Sequence, residues 1–253
     1  MMKPKYSFEI IPRPDLSSLD PVLELLARMN PEWVNVTNHR DFNGAMQASL
    51  YLKQKFNLKP AMHLRVGDPV QGFLEKLAEQ GIGDLFLIRG DNDRGPFAAE
   101  LVRKVRSLEI GRKFRVGVAG YPQKHVDAPD LDTDIANLKA KVDEGADYVL
   151  SQMFFDNEAF YEWEKKCREK GITVPIYPGL IPLTEPLIGL IAGQFHVPIP
   201  ELLRKGIAHS KAFGLEWMIK QIRDLHAHGF NQIHVFVMND LPMAERIVRE
   251  LPV

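Results

Sequence analysis

Residues 133–152 read TDIANLKAKVDEGADYVLSQ and contain a helix pattern, a glycine and a short apolar strand, in that order. Thr133–Glu144 carries apolar residues at helical spacing, and Gly145 fits the left-handed conformation that ends many helices. Tyr148–Gln152 is typical of a buried strand, and a second helix pattern, Glu158–Lys170, follows it. This order of helix, strand and helix indicates an α/β fold.

The same alternation extends along the chain. Helix patterns separate short apolar strands, and the longest of them, Thr184–Leu225, is interrupted by Val197-Pro198-Ile199-Pro200. Eight strands are predicted: Ser7–Ile11, Trp33–Thr37, Pro60–His63, Asp84–Ile88, Phe114–Ala119, Tyr148–Gln152, Val174–Tyr177 and Gln232–Val237. Eight strands that alternate with helices predict a single (β/α)8 TIM barrel over residues 1–253.

An open, doubly wound parallel sheet is the alternative fold. Such sheets usually bind a dinucleotide through three spaced glycines after the first strand. Gly81 and Gly83 have the spacing of the first two, but Phe86 stands where the third is expected. The barrel is therefore the favoured prediction.

Composition excludes several classes of protein. The 253 residues include 32 basic and 33 acidic side chains, so the net charge is −1, which gives no basis for nucleic-acid binding. A single cysteine rules out an internal disulfide and a cysteine-rich metal site. There is no zinc-binding helix motif, no phosphate loop and no apolar run of about 18 residues. We expect a cytoplasmic protein with no metal, no membrane segment and no signal peptide.

Glu9 is the strongest candidate for a catalytic residue. It is a lone carboxylate within the apolar strand Ser7–Ile11. Burial there raises the pKa of a carboxyl group, which suits a proton donor near neutral pH. The alternative is a structural partner of an Arg or Lys. The catalytic face of a TIM barrel is formed by the carboxyl ends of its strands.

Other strands also end in polar or small residues. Arg89-Gly90-Asp91 allows close approach to a ligand, although it also fits an ordinary turn, and Ala119-Gly120-Tyr121 leaves room for a planar group. The amide of Gln152 suits a heterocycle with a mixed hydrogen-bonding edge, and Phe154 either contacts that ligand or packs in the core. His63 ends a strand and also fits a core position. Together these residues predict a site assembled from several loops.

The strand ends, in this order, resemble the methylenetetrahydrofolate reductase family of flavin-dependent barrels. The matching segments span most of the chain, and Lys141–Asp156 is the most specific of them. The others include Phe8-Glu9, Val36-Thr37, His63-Leu64, Arg89-Gly90-Asp91, Ala119-Gly120-Tyr121-Pro122 with His125, Pro178-Gly179-Leu180-Ile181-Pro182 and Val197-Pro198-Ile199-Pro200.

The resemblance implies noncovalent FAD, reduced by NADH or NADPH, and hydride transfer to 5,10-methylenetetrahydrofolate that gives 5-methyltetrahydrofolate for methionine biosynthesis. It implies that Glu9 is the general acid, that Asp91 is a catalytic carboxylate beside the flavin, and that the Gln152 amide recognises the pterin. The implied cofactor contacts are Thr37, His63, Arg89, Gly90, Asp91, Ala119, Tyr121, His125, Asp134, Asn137 and Lys141. We also expect a homo-oligomer.

The chain departs from the family pattern near the folate. Pro186 stands where the family places a stacking Phe, and Asp240 stands where an Arg meets the folate glutamate. A carboxylate there predicts repulsion. Three alternatives follow: an electron-donor protein, a different C1-pterin substrate, and a flavin- or folate-binding subunit inactive alone. A flavin-free lyase or aldolase is another, although no strand-end Schiff-base lysine is evident.

Overall fold

The computed structural model describes residues 3–39, 41–90 and 97–251 and contains a closed barrel of eight parallel strands. Each strand pairs with the next, and the eighth closes on the first, so the predicted TIM barrel is confirmed. The strands are β1 (Lys5–Ile10), β2 (Val34–Val36), β3 (Pro60–Arg65), β4 (Asp84–Ile88), β5 (Arg115–Gly120), β6 (Tyr148–Met153), β7 (Ile176–Leu180) and β8 (Gln232–Phe236).

Helices surround the barrel. The described residues form α1 (Asp20–Arg28), α2 (Phe42–Phe56), α3 (Phe73–Glu79), α4 (Ala98–Ser107), α5 (Leu131–Asp143), α6 (Asn157–Glu169), α7 (Glu185–Gly193), α8 (Glu201–His209), α9 (Phe213–Ala227) and α10 (Leu241–Glu250). Short 3₁₀ turns precede α1 and β5 at Leu16–Leu19 and Ile110–Lys113. The long predicted stretch 184–225 is thus three helices: the first break contains Val197-Pro198-Ile199-Pro200, as predicted, whereas the second, at residues 210–212, contains neither proline nor glycine. None of the helices in the described ranges is both long and apolar enough to cross a membrane.

The strands have two faces with different roles. On β1, Tyr6, Phe8 and Ile10 point outward and pack in the main core under the helices. Ser7 and Glu9 therefore point into the barrel, because successive side chains of a strand alternate. The same alternation on the other strands, interrupted near the carboxyl end of β6, separates the outer core from the barrel interior.

The strand register stacks the inward side chains in layers. From one strand of a TIM barrel to the next, the height along the barrel axis changes by about one residue. Inward side chains on alternate strands therefore lie at the same height and form one layer. By this rule one layer contains Glu9, His63, Ala119 and Gly179. The layer beneath it contains Asn35, Phe86, Leu150 and His234.

The amino-terminal end of the barrel is filled by aromatic rings and one cation. The Arg115 guanidinium lies over the rings of Trp33 and Tyr148, 4.5 and 4.2 Å from their centroids, and pairs with Asp84 at 3.3 Å. Trp33 and Tyr177 also contact each other, at 5.4 Å between ring centroids. These contacts close one end of the barrel, which leaves the opposite end for a ligand.

Candidate functional site

A cavity of about 770 Å³ opens at the carboxyl ends of the strands. That volume lies within the usual range for small-molecule sites. Ala119 lines the cavity with a small side chain, whereas Gly179, in the same layer, packs closely against β6: a Cβ added there would clash with the Ser151 carbonyl oxygen. The predicted site residues that line the cavity are Glu9, Thr37, His63, Arg89, Gly90, Ala119, Tyr121, His125 and Gln152.

Glu9 lies at the inner end of this cavity, and its side chain is 16% exposed. Burial raises the pKa of its carboxyl group to about 8. His63 is the neighbouring side chain that could pair with Glu9 as a cation, and its Nε2 lies 3.7 Å from Glu9 Oε2. Burial lowers the pKa of His63 to about 3, with a further contribution from His39, so this pair is neutral at pH 7. The structure thus favours the proton-donor interpretation of Glu9 over the ion-pair alternative.

This protonation has a measurable consequence for stability. The folded pKa of Glu9 lies above the ordinary value of 4.5, so the folded state holds a proton that the unfolded chain releases between pH 4.5 and 8. Stability is therefore lost as the pH rises through this window, by about 1.4 kcal/mol per unit of pKa shift at most. Glu9→Gln, which cannot ionise, is expected to unfold at higher urea concentration than the unaltered protein at pH 9 and at a similar one at pH 4. A difference independent of pH contradicts the burial of an ionisable Glu9.

Gln152 is placed by an irregularity in β6. The register between β6 and β7 shifts between Leu150 and Met153, and the Met153 N–H donates to Gln152 Oε1 at 3.0 Å. The Ser151 hydroxyl supports the same segment, because it accepts from the Gly179 N–H at 2.9 Å. These contacts fix the orientation of the Gln152 amide at the cavity wall.

One wall of the cavity is a folded loop after β5. The rings of Tyr121 and His125 meet edge to face at 4.6 Å, and His125 Nδ1 accepts from the Asp127 N–H at 3.1 Å. Arg89, at the end of β4, forms an ion pair with the Asp127 carboxylate. Burial, and then the Arg89 charge, lower the pKa of His125. The loop therefore presents a neutral imidazole and a neutralised guanidinium to the cavity.

Asp134 and Lys141 lie behind this wall, not on it. Asp134 is buried in α5, and its carboxylate accepts from the backbone N–H of His125 at 3.2 Å. The Lys141 ammonium donates to the Ala119 carbonyl oxygen and lies 5.8 Å from the Tyr121 ring centroid. Burial lowers the pKa of Lys141 to about 8, which Asp134 partly opposes. Both residues hold lining residues in place instead of lining the cavity themselves.

Three other predicted residues have different outcomes. Phe154 is fully buried outside the barrel and stacks on Phe160 at 4.7 Å, so the structure corrects its predicted contact with substrate. Asn137 is exposed on α5 and does not line the cavity. Asp91 lies outside the described residues, and its predicted roles stay predictions.

The sequence reasoning missed the apolar wall formed by α7. The α7 wall consists of Leu187, Leu190 and Ile191 on the helix, together with the polar Gln194 and with Phe195, which directly follow it. Pro186 lies in the first turn of α7 and is exposed, so an aromatic side chain reaches the cavity at Phe195 instead. The apolar run LIGLIAG at 187–193 was the available signal, but its direction depends on tertiary packing.

Asp240 does not line the cavity in this structure. It is the N-cap of α10, where its carboxylate accepts from the Met243 N–H at 3.0 Å. Asp240-Leu241-Pro242 is a recognisable helix start, with an acidic cap followed by a proline in the first turn. The expected repulsion of a folate carboxylate by Asp240 is therefore not supported by its position.

The family model for methylenetetrahydrofolate reductase matches residues 2–252 of this chain. The chain belongs to the methylenetetrahydrofolate reductase family. The match covers the whole barrel, including every strand that contributes a side chain to the cavity. Fold and family were both predicted correctly from the sequence.

Relatives in this family differ in length. The chain is 27% identical to methylenetetrahydrofolate reductase 1 of Schizosaccharomyces pombe over 98% of its own length, but it spans only 46% of that protein. It is 28% identical to the 5,10-methylenetetrahydrofolate reductase of Salmonella typhimurium, covering 98% of this chain and 90% of the relative. The chain thus spans about half the length of the yeast member and most of the bacterial one.

A solved structure with the same fold comes from Clostridium thermocellum. It superposes with a TM-score of 0.68 over 98% of this chain and 96% of its own, at 10% sequence identity. That protein binds two copies of 5-methyl-5,6,7,8-tetrahydrofolic acid. At this identity the likeness concerns the fold alone.

The cavity fits the ring system of the family's flavin better than its diphosphate. Thr37 Oγ1 and His63 Nε2 are buried at the cavity without a partner among the described residues, and the small side chain of Ala119 lines the same cavity. For the diphosphate, Arg89 is paired with Asp127, and Lys141 is bound to a backbone carbonyl. A diphosphate bound by Arg89 or Lys141 would therefore require that cation to change partner. Within residues 3–39, 41–90 and 97–251 no cluster of three or more His, Cys, Asp or Glu side chains suits a metal ion.

Proposed function

We propose that this chain catalyses the reduction of 5,10-methylenetetrahydrofolate to 5-methyltetrahydrofolate at the cavity above Glu9. Membership of the family supports this proposal, and the position of Glu9 is the observation that carries it. The hydride would be supplied by a reduced flavin held in the cavity. A carboxyl group with a pKa of about 8 is mostly protonated at pH 7, as the opening of the folate imidazolidine ring requires.

The remaining residues have binding roles in this proposal. The Gln152 amide recognises the pterin, because its fixed orientation offers one defined hydrogen-bonding edge. Thr37, His63 and Ala119 line the cavity and would contact the flavin ring, and Tyr121 and His125 would form the wall beside it. The apolar side of α7 covers the ligands and excludes water from the reacting atoms.

The test is an anaerobic single turnover. The protein is loaded with FAD, the flavin is reduced by light, and 5,10-methylenetetrahydrofolate is added. We expect the flavin absorbance to return and one equivalent of 5-methyltetrahydrofolate to form. A flavin that stays reduced while the folate is recovered unchanged contradicts the proposed reaction. Parallel titrations with NADH and NADPH identify the electron donor.

The second candidate is a folate-binding barrel that does not retain a flavin and needs a partner protein as electron donor. The ion pair between Arg89 and Asp127 favours it, because this pair occupies a cation that a diphosphate would use. In that case calorimetry shows folate binding, while the isolated chain stays colourless after FAD is added and forms no product. The family match gives no support to the lyase alternative.

A further inference from the structure

Three buried polar atoms lie beneath and beside Glu9 and have no hydrogen-bond partner in the described part of the chain. They are Asn35 Nδ2, His63 Nε2 and His234 Nε2. The strand register places Asn35 and His234 in the layer directly under Glu9, and His63 in the same layer as Glu9. Unpaired buried polar atoms are rare in folded proteins, so three around one carboxyl group require an explanation.

Asn35 and His234, the two side chains in the lower layer, are each oriented by a hydrogen bond to their second polar atom. The Trp33 indole N–H donates to Asn35 Oδ1 at 3.0 Å, which directs the Asn35 NH₂ group elsewhere. Ser7 Oγ and His234 Nδ1 are hydrogen-bonded at 2.9 Å, which leaves Nε2 as the unpaired atom of that ring. Asn35, Ser7 and His234 are all fully buried, so these orientations are tightly packed.

We propose that Asn35, His63 and His234 bind an ordered water under the Glu9 carboxyl group, which makes Asn35 and His234 positioning residues for the acid. A buried water typically makes two to four hydrogen bonds, and this set offers that number. The 3.7 Å between Glu9 Oε2 and His63 Nε2 is too long for a direct hydrogen bond and suits a contact completed by water.

The proposed water gives Glu9 a partner in both of its protonation states. Water accepts from the carboxylic acid and donates to the carboxylate, so the proton can leave Glu9 and return without exposing an unpaired group. Both imidazoles remain neutral, since burial lowers the pKa of each to about 3. They can therefore bind water without holding a charge beside Glu9. The role of this water in catalysis rests on the proposed function, but the existence of the water site does not.

Other charged or titratable groups also face the cavity that contains Glu9. Among the described residues these are His39, His63, Arg65, Arg89, Tyr121, His125 and Asp127. His234 lies one layer below, and Arg89 is neutralised by Asp127. Any titration assigned to Glu9 therefore needs Glu9→Gln as the reference, because that variant retains all of these groups.

The first test is a high-resolution crystal structure of the unaltered protein. We expect electron density for water within hydrogen-bonding distance of Glu9, His234 Nε2 and at least one of Asn35 Nδ2 and His63 Nε2. A dry interior, or side chains that bond directly to one another, overturns the proposal. This test does not depend on any variant folding.

The second test is an infrared titration of the Glu9 carboxyl group in His234→Phe, which keeps a ring and removes its nitrogens. Loss of a hydrogen bond to the carboxylate is expected to raise the Glu9 pKa by about one unit. His234→Gln, which restores a polar group, is expected to return the pKa toward its original value. The matched control is His226→Phe, because His226 also has a buried unpaired nitrogen but lies on α9, outside the barrel. An unchanged Glu9 pKa in His234→Phe refutes the positioning role.

These tests separate the water site from the proposed reaction. The infrared titration and the crystal structure need neither folate nor flavin. If the water is present but Glu9→Gln reduces folate normally, the proposed acid is wrong and the water site stands. If the water is absent but Glu9→Gln is inactive, the acid stands and this inference fails.

Discussion

Replacement of Glu9 by Gln is expected to slow the reduction of 5,10-methylenetetrahydrofolate by about 100- to 10,000-fold, the usual contribution of a general acid. The amide keeps the shape of the side chain but cannot donate an acidic proton. Binding of the flavin and the folate is expected to change little, since Glu9 is one of many lining residues. The measurement is the rate at which bound, reduced flavin is oxidised by the folate under anaerobic conditions.

The pH dependence of this rate gives a more specific test of Glu9 as the acid. The Glu9 proton is present below a pH of about 8 and is lost above it. The rate in the unaltered protein is therefore expected to fall as the pH rises through 8, whereas the residual rate of Glu9→Gln stays flat there. The matched control is Glu32→Gln, which removes a carboxylate that pairs with Lys5 at the surface and does not line the cavity. Equal rates in Glu9→Gln and the control contradict the assigned acid.

Replacement of Ala119 by Phe is expected to weaken binding of folate and flavin by roughly 100-fold or more. Ala119 lines the cavity with only a methyl group, so the new ring projects into the cavity from the layer that contains Glu9. The ring takes up volume that a bound ligand would need, and a loss of about 3 kcal/mol of binding free energy corresponds to roughly 100-fold in affinity. Isothermal calorimetry with each ligand measures the effect.

The fold should survive this change, because the added ring enters open space. The melting temperature of Ala119→Phe is expected to stay close to that of the unaltered protein. Ala227→Phe is the matched control, since Ala227 is exposed at the end of α9 and does not line the cavity. If Ala119→Phe folds and binds both ligands as tightly as the control, the ligands lie elsewhere.

Most of the barrel could be predicted from local patterns. Seven of the eight strands differ from their predicted bounds by at most two residues at either end. The exception is β7, which was predicted at Val174–Tyr177 and lies at Ile176–Leu180. Pro178 and Gly179 disfavour a strand locally, but pairing with β6 and β8 overrides that preference.

The site was predictable where it depended on topology alone. A TIM barrel brings the carboxyl ends of all its strands to one face, so Glu9, His63 and Gln152 could be grouped without coordinates. Phe154 failed because β6 ends at Met153 after a register shift, which turns the next residue outward. Lys141 lies behind the wall, because its ammonium group binds the Ala119 carbonyl oxygen, and its contact with a cofactor stays a prediction.

The contribution of α7 could not be predicted for a different reason. Its residues are apolar on most sides, so the sequence pattern does not tell which side faces the barrel. The contacts in and around the layer beneath Glu9 could not be predicted from local sequence either. Ser7 and His234 are 227 positions apart, and only closure of the barrel between β1 and β8 brings them together.

The central claim is that a reduced pterin binds in this cavity with its reacting ring beside Glu9. The most direct measurement is a crystal structure of the protein with 5-methyltetrahydrofolate. We predict that the pterin lies between Gln152 and the α7 wall, with the Glu9 carboxyl group within hydrogen-bonding reach of a ring nitrogen or of one bridging water. A pterin bound outside the cavity, or within it but remote from Glu9, would contradict the account.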